Sequence, residues 1–169
     1  MAVSPSERWW LPTAADTSAL GSALAAACPE PVDGARLLFL SGELGAGKTV
    51  LAAAVLAALG VGEVVRSPSY ALVETYPITW GYALHLDCYR LADSTELEQL
   101  GLRDQHVART VWLVEWPERG SAALPQPDLW LRLRVSGAGR EAECEPKSGI
   151  GATWLARLLS FYPYVANKT

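Results

Sequence analysis

The chain has 169 residues, 50% of them hydrophobic and 19% charged, with a net charge of −4. That balance excludes a disordered chain, which needs low hydrophobicity and high net charge, and the length suits one domain over 1–169 with frayed ends at 1–6 and 162–169. An acidic sequence with pI near 5.2 argues against a DNA- or tRNA-binding domain that works by its own field, because such domains carry a basic face.

In chain order, the opening MAVSPSERWWLP lacks a cationic start followed by an apolar stretch, so no export signal is expected. Trp9–Leu11 suits a short strand or an apolar lip before Pro12. Residues 14–28 are rich in Ala and Leu and predict a helix that Pro29 and Pro31 stop. Ala35–Ser41 is a continuous apolar run, the pattern of a strand buried on both faces. A glycine-rich loop follows, then a helix over Thr49–Leu59 closed by Gly60. The longest apolar run of the chain, Val50 to Leu59, is well short of the ~18 residues that cross a bilayer, so no membrane partner is expected.

Residues 71–77 and 82–87 predict two strands joined by ITWG. Asp93-Ser94-Thr95-Glu96 has capping-box spacing, which predicts a helix from Asp93 to about Gly101, with a second short helix over 103–108. Val111–Glu115 reads as another buried strand. Leu129–Val135 and Arg140–Glu145 flank SGAG as a hairpin, and Trp154–Leu159 forms a closing helix. The expected fold is α/β: a central, mostly parallel sheet with antiparallel hairpins, flanked by helices. Cys28, Cys88 and Cys144 are odd in number and far apart, which predicts reduced thiols in a cytoplasmic protein.

Gly42-Glu43-Leu44-Gly45-Ala46-Gly47-Lys48-Thr49 matches G-x-x-x-x-G-K-[ST] between a strand and a helix, the context a phosphate-binding loop requires. Glycines let the backbone take positive φ and turn N–H groups inward, and the helix start adds partial positive charge. Gly42–Thr49 is thus an expected anion cradle for the β-phosphate, with Lys48 on the β and γ oxygens and Thr49 on Mg2+. A magnesium–nucleotide site also needs a carboxylate. Glu115 and Asp87 each end an apolar strand, and either or both would face one crevice if those strands are parallel. Ser69, in the loop RSPSY, is a candidate hydroxyl for the γ-phosphate, against the reading as an ordinary turn. Trp116 borders the nucleotide or packs. Arg90, Arg103 and Arg140 are candidate phosphate or partner contacts. His85 alternates along a strand and reads as a hydrogen-bonded structural histidine rather than a base, and His106 as a surface residue.

GELGAGKT, RSPSYALVE, HLDCYRL, LEQLGLRD and VEWPERG stand in the order and spacing of the TsaE (YjeE) family, which most of the chain resembles. The resemblance implies a small ATPase with a phosphate-loop α/β fold that binds ATP and Mg2+. It implies a role in threonylcarbamoyl modification of adenosine 37 of tRNA, acting with the TsaB–TsaD complex and meeting tRNA through it. By motif match Thr49 and Glu115 take the metal, Leu44, Gly45, Ala46, Gly47, Lys48 and Thr49 hold the phosphates, Asp87 is the acid of H-x-D-x-Y-R, and Ser69 stands where the family has Thr. Arg140 falls in a late G-R dipeptide near the nucleotide, and the looser match at LPTAADTS leaves an adenine-side contact near Ala14 or Thr17. Catalysis is then expected from Lys48, Asp87 and Glu115. A small-molecule kinase, or a nucleotide-gated binder whose hydrolysis is incidental, is the alternative. A GTPase would need N-K-x-D, and Asn167-Lys168 lacks the Asp.

Overall fold

The structure is a computed structural model that describes residues 5–68, 70–105, 107–120 and 122–162. Ser69, His106 and the ends 1–4 and 163–169 lie outside the described residues, and so do the expectations made for them.

Strand β1 (Glu7–Leu11) enters helix α1 (Ala14–Ala27) through a capping box. Thr13 Oγ1 accepts the Asp16 amide at 3.3 Å, and the Asp16 carboxylate accepts the Thr13 amide at 2.9 Å. Strand β2 (Arg36–Gly42) leads into the glycine loop and helix α2 (Lys48–Ala58). The hairpin β3 (Val73–Ile78) and β4 (Gly81–Asp87) follows, then α3 (Thr95–Gln99), β5 (Thr110–Glu115), the hairpin β6 (Leu129–Ser136) and β7 (Gly139–Pro146), and α4 (Gly149–Phe161).

The seven strands form one sheet in the order β1-β7-β6-β2-β5-β4-β3. Its centre, β6-β2-β5-β4, is parallel, and the outer pairs are antiparallel, as the sequence predicts. All six residues of β5 are buried, which accounts for its unbroken apolar run. One core joins the sheet to α1 and α2 through Leu20, Leu24, Leu40, Leu51, Val55 and Leu113, and Trp154 of α4 donates its indole N–H to Leu24 O at 2.8 Å. A second core on the opposite face gathers Leu37, Phe39, Leu84, Leu86, Trp112 and Val114 with Leu97 and Leu102. Among the described residues no helix is long and apolar enough to cross a membrane.

Three expectations need correction. The helix predicted from Asp93 is only the five residues of α3, capped at Ser94. Asp93 instead accepts the Thr95 amide at 2.8 Å, and Glu96 accepts the Ala92 amide at 2.8 Å, so the capping residues bond one step out of the predicted frame. The helix predicted over 103–108 is a single 3-10 turn, Leu102–Gln105, because Arg109 takes a left-handed φ of 63° to steer the chain into β5. The closing helix begins at Gly149 rather than Trp154, capped by Ser148 accepting the Gly151 amide at 2.9 Å. Its glycines hide it from propensity, yet a Cβ on Gly151 would lie 1.9 Å from Asp128 O, so only glycine fits there.

Candidate nucleotide site

The loop between β2 and α2 owes its path to glycine. Gly42, Gly45 and Gly47 have φ of 148°, 80° and 104°, and a Cβ on Gly42 would approach Leu133 O to 2.3 Å. Gly47 caps α2 without a side-chain hydrogen bond, so the helix start is not blocked by a Ser or Asp oxygen. Ala46 is buried within the loop, while Leu44 is exposed at its tip. These positive φ values are the backbone conformations a phosphate-binding loop requires.

Lys48 is 5% exposed. Its ammonium donates to Gly42 O at 2.7 Å and Glu43 O at 2.8 Å and lies 4.1 Å from the centre of the Trp116 ring. Burial lowers its pKa from the ordinary lysine value, opposed by the carboxylates of Glu115, Glu118, Asp87 and Glu43. Trp116 reaches this position through a left-handed φ of 55°, with its amide on Leu40 O at 3.1 Å and its ring 5.0 Å from that of Tyr89.

The two candidate acids are register partners, Asp87 on β4 and Glu115 on β5, at the carboxyl ends of parallel strands. Thr49 Oγ1 lies 2.9 Å from Glu115 Oε2 and 3.2 Å from Oε1. Glu115 Oε1 also sits 2.8 Å from His85 Nε2. Asp87 accepts the Ser67 hydroxyl and, at 2.9 Å, the Tyr89 amide. The structure thus brings Thr49 against Glu115, with Asp87 opposite on β4 and Lys48 at the start of the same helix. Arg140 reaches across from β7, its guanidinium donating to Gly45 O at 3.3 Å. Thr17 of α1 comes within 3.6 Å of the Cβ position of Gly47, which puts the opening segment beside the loop.

Other candidates fall elsewhere. Arg90 stacks on Tyr70 with 4.5 Å to the ring centre, and Arg103 is exposed on the 3-10 turn. A groove of about 880 Å³ touches Gly42, Glu43 and Trp116 but runs off over Arg132, Arg134 and Trp10, beside the cradle rather than in it. Sequence reasoning missed two partners of the acids, Ser67 on Asp87 and His85 on Glu115. The period of two along β4 puts His85 on the same face as Asp87, a signal legible in HLD.

Residues 11–142 match the profile of the family described as threonylcarbamoyl adenosine biosynthesis protein TsaE. The chain belongs to the TsaE family. Curated relatives agree. The tRNA threonylcarbamoyladenosine biosynthesis protein TsaE of Haemophilus influenzae is 38% identical over 115 residues, covering 68% of this chain and 73% of that protein. The protein of the same name from Bacillus subtilis is 33% identical over 130 residues, covering 77% and 78%. The crystal structure of Bacillus subtilis YdiB superposes with a TM-score of 0.78 at 25% identity over 95% of this chain and 97% of that one. The span matched to TsaE ends on β7, so it contains the whole crevice and leaves α4 outside.

Proposed function

We propose that this chain is an ATPase of tRNA threonylcarbamoyladenosine biosynthesis that works with the TsaB–TsaD complex and reaches tRNA through it. The observation that carries the ATPase reading is the contact of Thr49 Oγ1 with Glu115 Oε2 at 2.9 Å, at the start of the helix that the glycine loop opens. Family membership and the names of the relatives supply the pathway.

The donor set suits Mg2+. Thr49 and Glu115 offer hard oxygens at the start of the helix that the glycine loop opens, with Asp87 the register partner of Glu115 on β4. Among the described residues no three His, Cys, Asp or Glu side chains converge on one point, so phosphate oxygens and water would complete the coordination. When bound, Mg2+ would supply charge neutralisation at the phosphates. The residues of the chain do the rest by position. Loop amides hold the phosphates, and the Lys48 ammonium exchanges its carbonyl partners for β and γ oxygens. Asp87, fixed by Ser67 and the Tyr89 amide, orients a water toward the γ-phosphorus. That water bonds to phosphorus, the bond to the bridging oxygen breaks, and ADP and inorganic phosphate leave. Trp116 walls the site beside the Lys48 ammonium.

Arg140 donates to Gly45 O at 3.3 Å and keeps further N–H groups, and we assign no arginine of the described residues to the γ-phosphate as a cis finger. An arginine supplied in trans raises hydrolysis by roughly 10³–10⁵-fold where one completes a site. Phosphate release should therefore be slow for the purified chain and rise when TsaB–TsaD and tRNA are added. Lys48→Ala should cut the rate by roughly 10²–10³-fold under both conditions. Fast hydrolysis by the isolated chain, or an undiminished rate in Lys48→Ala, would refute the reading.

A further inference from the structure

His85 is fully buried, and the crevice just described does not need it as an acid or a base. Its Nε2 lies 2.8 Å from Glu115 Oε1. A carboxylate oxygen only accepts, so the ring proton of this contact is on Nε2. Nδ1 is buried with no hydrogen-bond partner among the described residues. A side chain chosen for packing alone would be apolar and would leave no ring nitrogen unpaired. The imidazole thus carries the cost of one orphaned nitrogen for a single polar contact, and that contact is to Glu115.

Glu115 needs such a partner. It is 2% exposed, its two oxygens both lie near Thr49 Oγ1, and a hydroxyl has one proton to give. Without a second donor the carboxylate is free to turn about its last bond and present either edge to Thr49. A donor fixed on Oε1 selects one arrangement. It leaves Oε2, the nearer oxygen at 2.9 Å, as the edge that faces Thr49. Two paired strands carry the contact. His85 and Glu115 sit on β4 and β5, paired in parallel, and face the layer of α2 together with Ala83 and Leu113.

We propose that His85 is the positioning residue of the site: through Nε2 it fixes the rotation of the Glu115 carboxylate, and so sets how well Thr49 and Glu115 jointly hold a divalent cation. This rests on the proposed ATPase reading.

The test separates cation binding from nucleotide binding. ADP is titrated into wild type, His85→Leu and His85→Gln in EDTA, and Mg2+ is then titrated into each ADP complex by calorimetry. Loss of a hydrogen bond behind a metal ligand weakens metal binding by about 10–100-fold, so the Mg2+ midpoint should rise by that factor in His85→Leu. ADP affinity in EDTA should stay within about 3-fold, because the loop and Lys48 bind phosphate without Glu115. His85→Gln, which carries an amide N–H at similar reach, should bring the midpoint back to near wild type. An unchanged Mg2+ midpoint in His85→Leu overturns the assignment. An equal loss of ADP affinity with and without Mg2+ also overturns it, since that is the signature of a purely structural histidine. Should His85→Leu fail to fold, His85→Asn, whose donor stops short of Glu115, takes its place, and a wild-type midpoint there overturns the assignment equally. Wild-type protein that binds no ADP in either buffer overturns the ATPase reading itself.

Discussion

The two ends of the sheet treat charge in opposite ways. At the β4–β5 end, His85, Asp87 and Glu115 are 0%, 5% and 2% exposed and lie under α2. At the β6–β7–β1 end, charges stand on an open face: Arg132 pairs with Glu145 at 2.9 Å and Arg8 with Glu143 at 3.1 Å, with side chains 28–70% exposed. Exposed pairs contribute about 0–1 kcal/mol each, whereas an ion moved into the interior costs several kcal/mol before its partners repay it. Charge on the open face is thus nearly neutral for stability and keeps an edge of the sheet from associating with other chains. Charge in the crevice is held against the folding balance, which makes sense where a substrate must meet it.

The sharpest way to break that comparison is Glu115→Gln. The amide keeps an acceptor for His85 and Thr49 but removes the buried charge. On the proposed role of Glu115 as a cation ligand, phosphate release should fall by at least ~10–100-fold. Stability should hold or rise, because the isosteric amide removes a charge whose burial costs several kcal/mol. Calorimetric melting would check it, and a fall of more than ~5 °C would mean that the buried carboxylate is a net stabiliser.

Two smaller effects sharpen it. Gly42→Ala forces a Cβ toward Leu133 O at a positive φ and should cost about 2–3 kcal/mol, read as a lower urea midpoint with an unchanged slope. Arg132→Ala, on the open face, should cost less than ~1 kcal/mol and leave hydrolysis unchanged. If the two variants were equally destabilised, the division between a built crevice and a solvated face would fail.

The parts legible in the sequence were those where one local rule suffices. The apolar runs of β2 and β5, the glycines at 42, 45 and 47, and the acids that end β4 and β5 follow from burial and backbone geometry alone. What was not legible depends on neighbours far along the chain. The start of α4 is set by the approach of Gly151 to the Asp128 carbonyl, and Asp128 in turn accepts the Leu37 amide at 2.9 Å and the Ser148 hydroxyl at 2.6 Å. The bond between His85 and Glu115 spans 30 residues and exists only because β4 and β5 pair in register. Period-two alternation gives the face of His85 but not the partner it meets there.

The smallest effect concerns the thiols, which report whether both ends are equally dry inside. Cys88 sits where β4 leaves the crevice, its amide on Glu115 O at 3.0 Å, and Cys144 lies on β7 under the helices. Burial pushes both thiols, and half-buried Cys28, up to about 12 from the usual 9.0. The sign follows directly. The folded chain keeps these protons above pH 9 while the unfolded chain loses them, so the contribution to stability is whole below pH 9 and fades as pH climbs toward 12. The melting temperature should decline through that window, with the decline reduced in Cys144→Ala relative to wild type. At pH 8 a thiol reagent should modify Cys28 first and reach Cys88 and Cys144 only on unfolding. If Cys88 reacts well before Cys144 in the native protein, the crevice end opens locally on its own, and the loops around Asp87 are a separate, weaker unit from the hairpin at the far end.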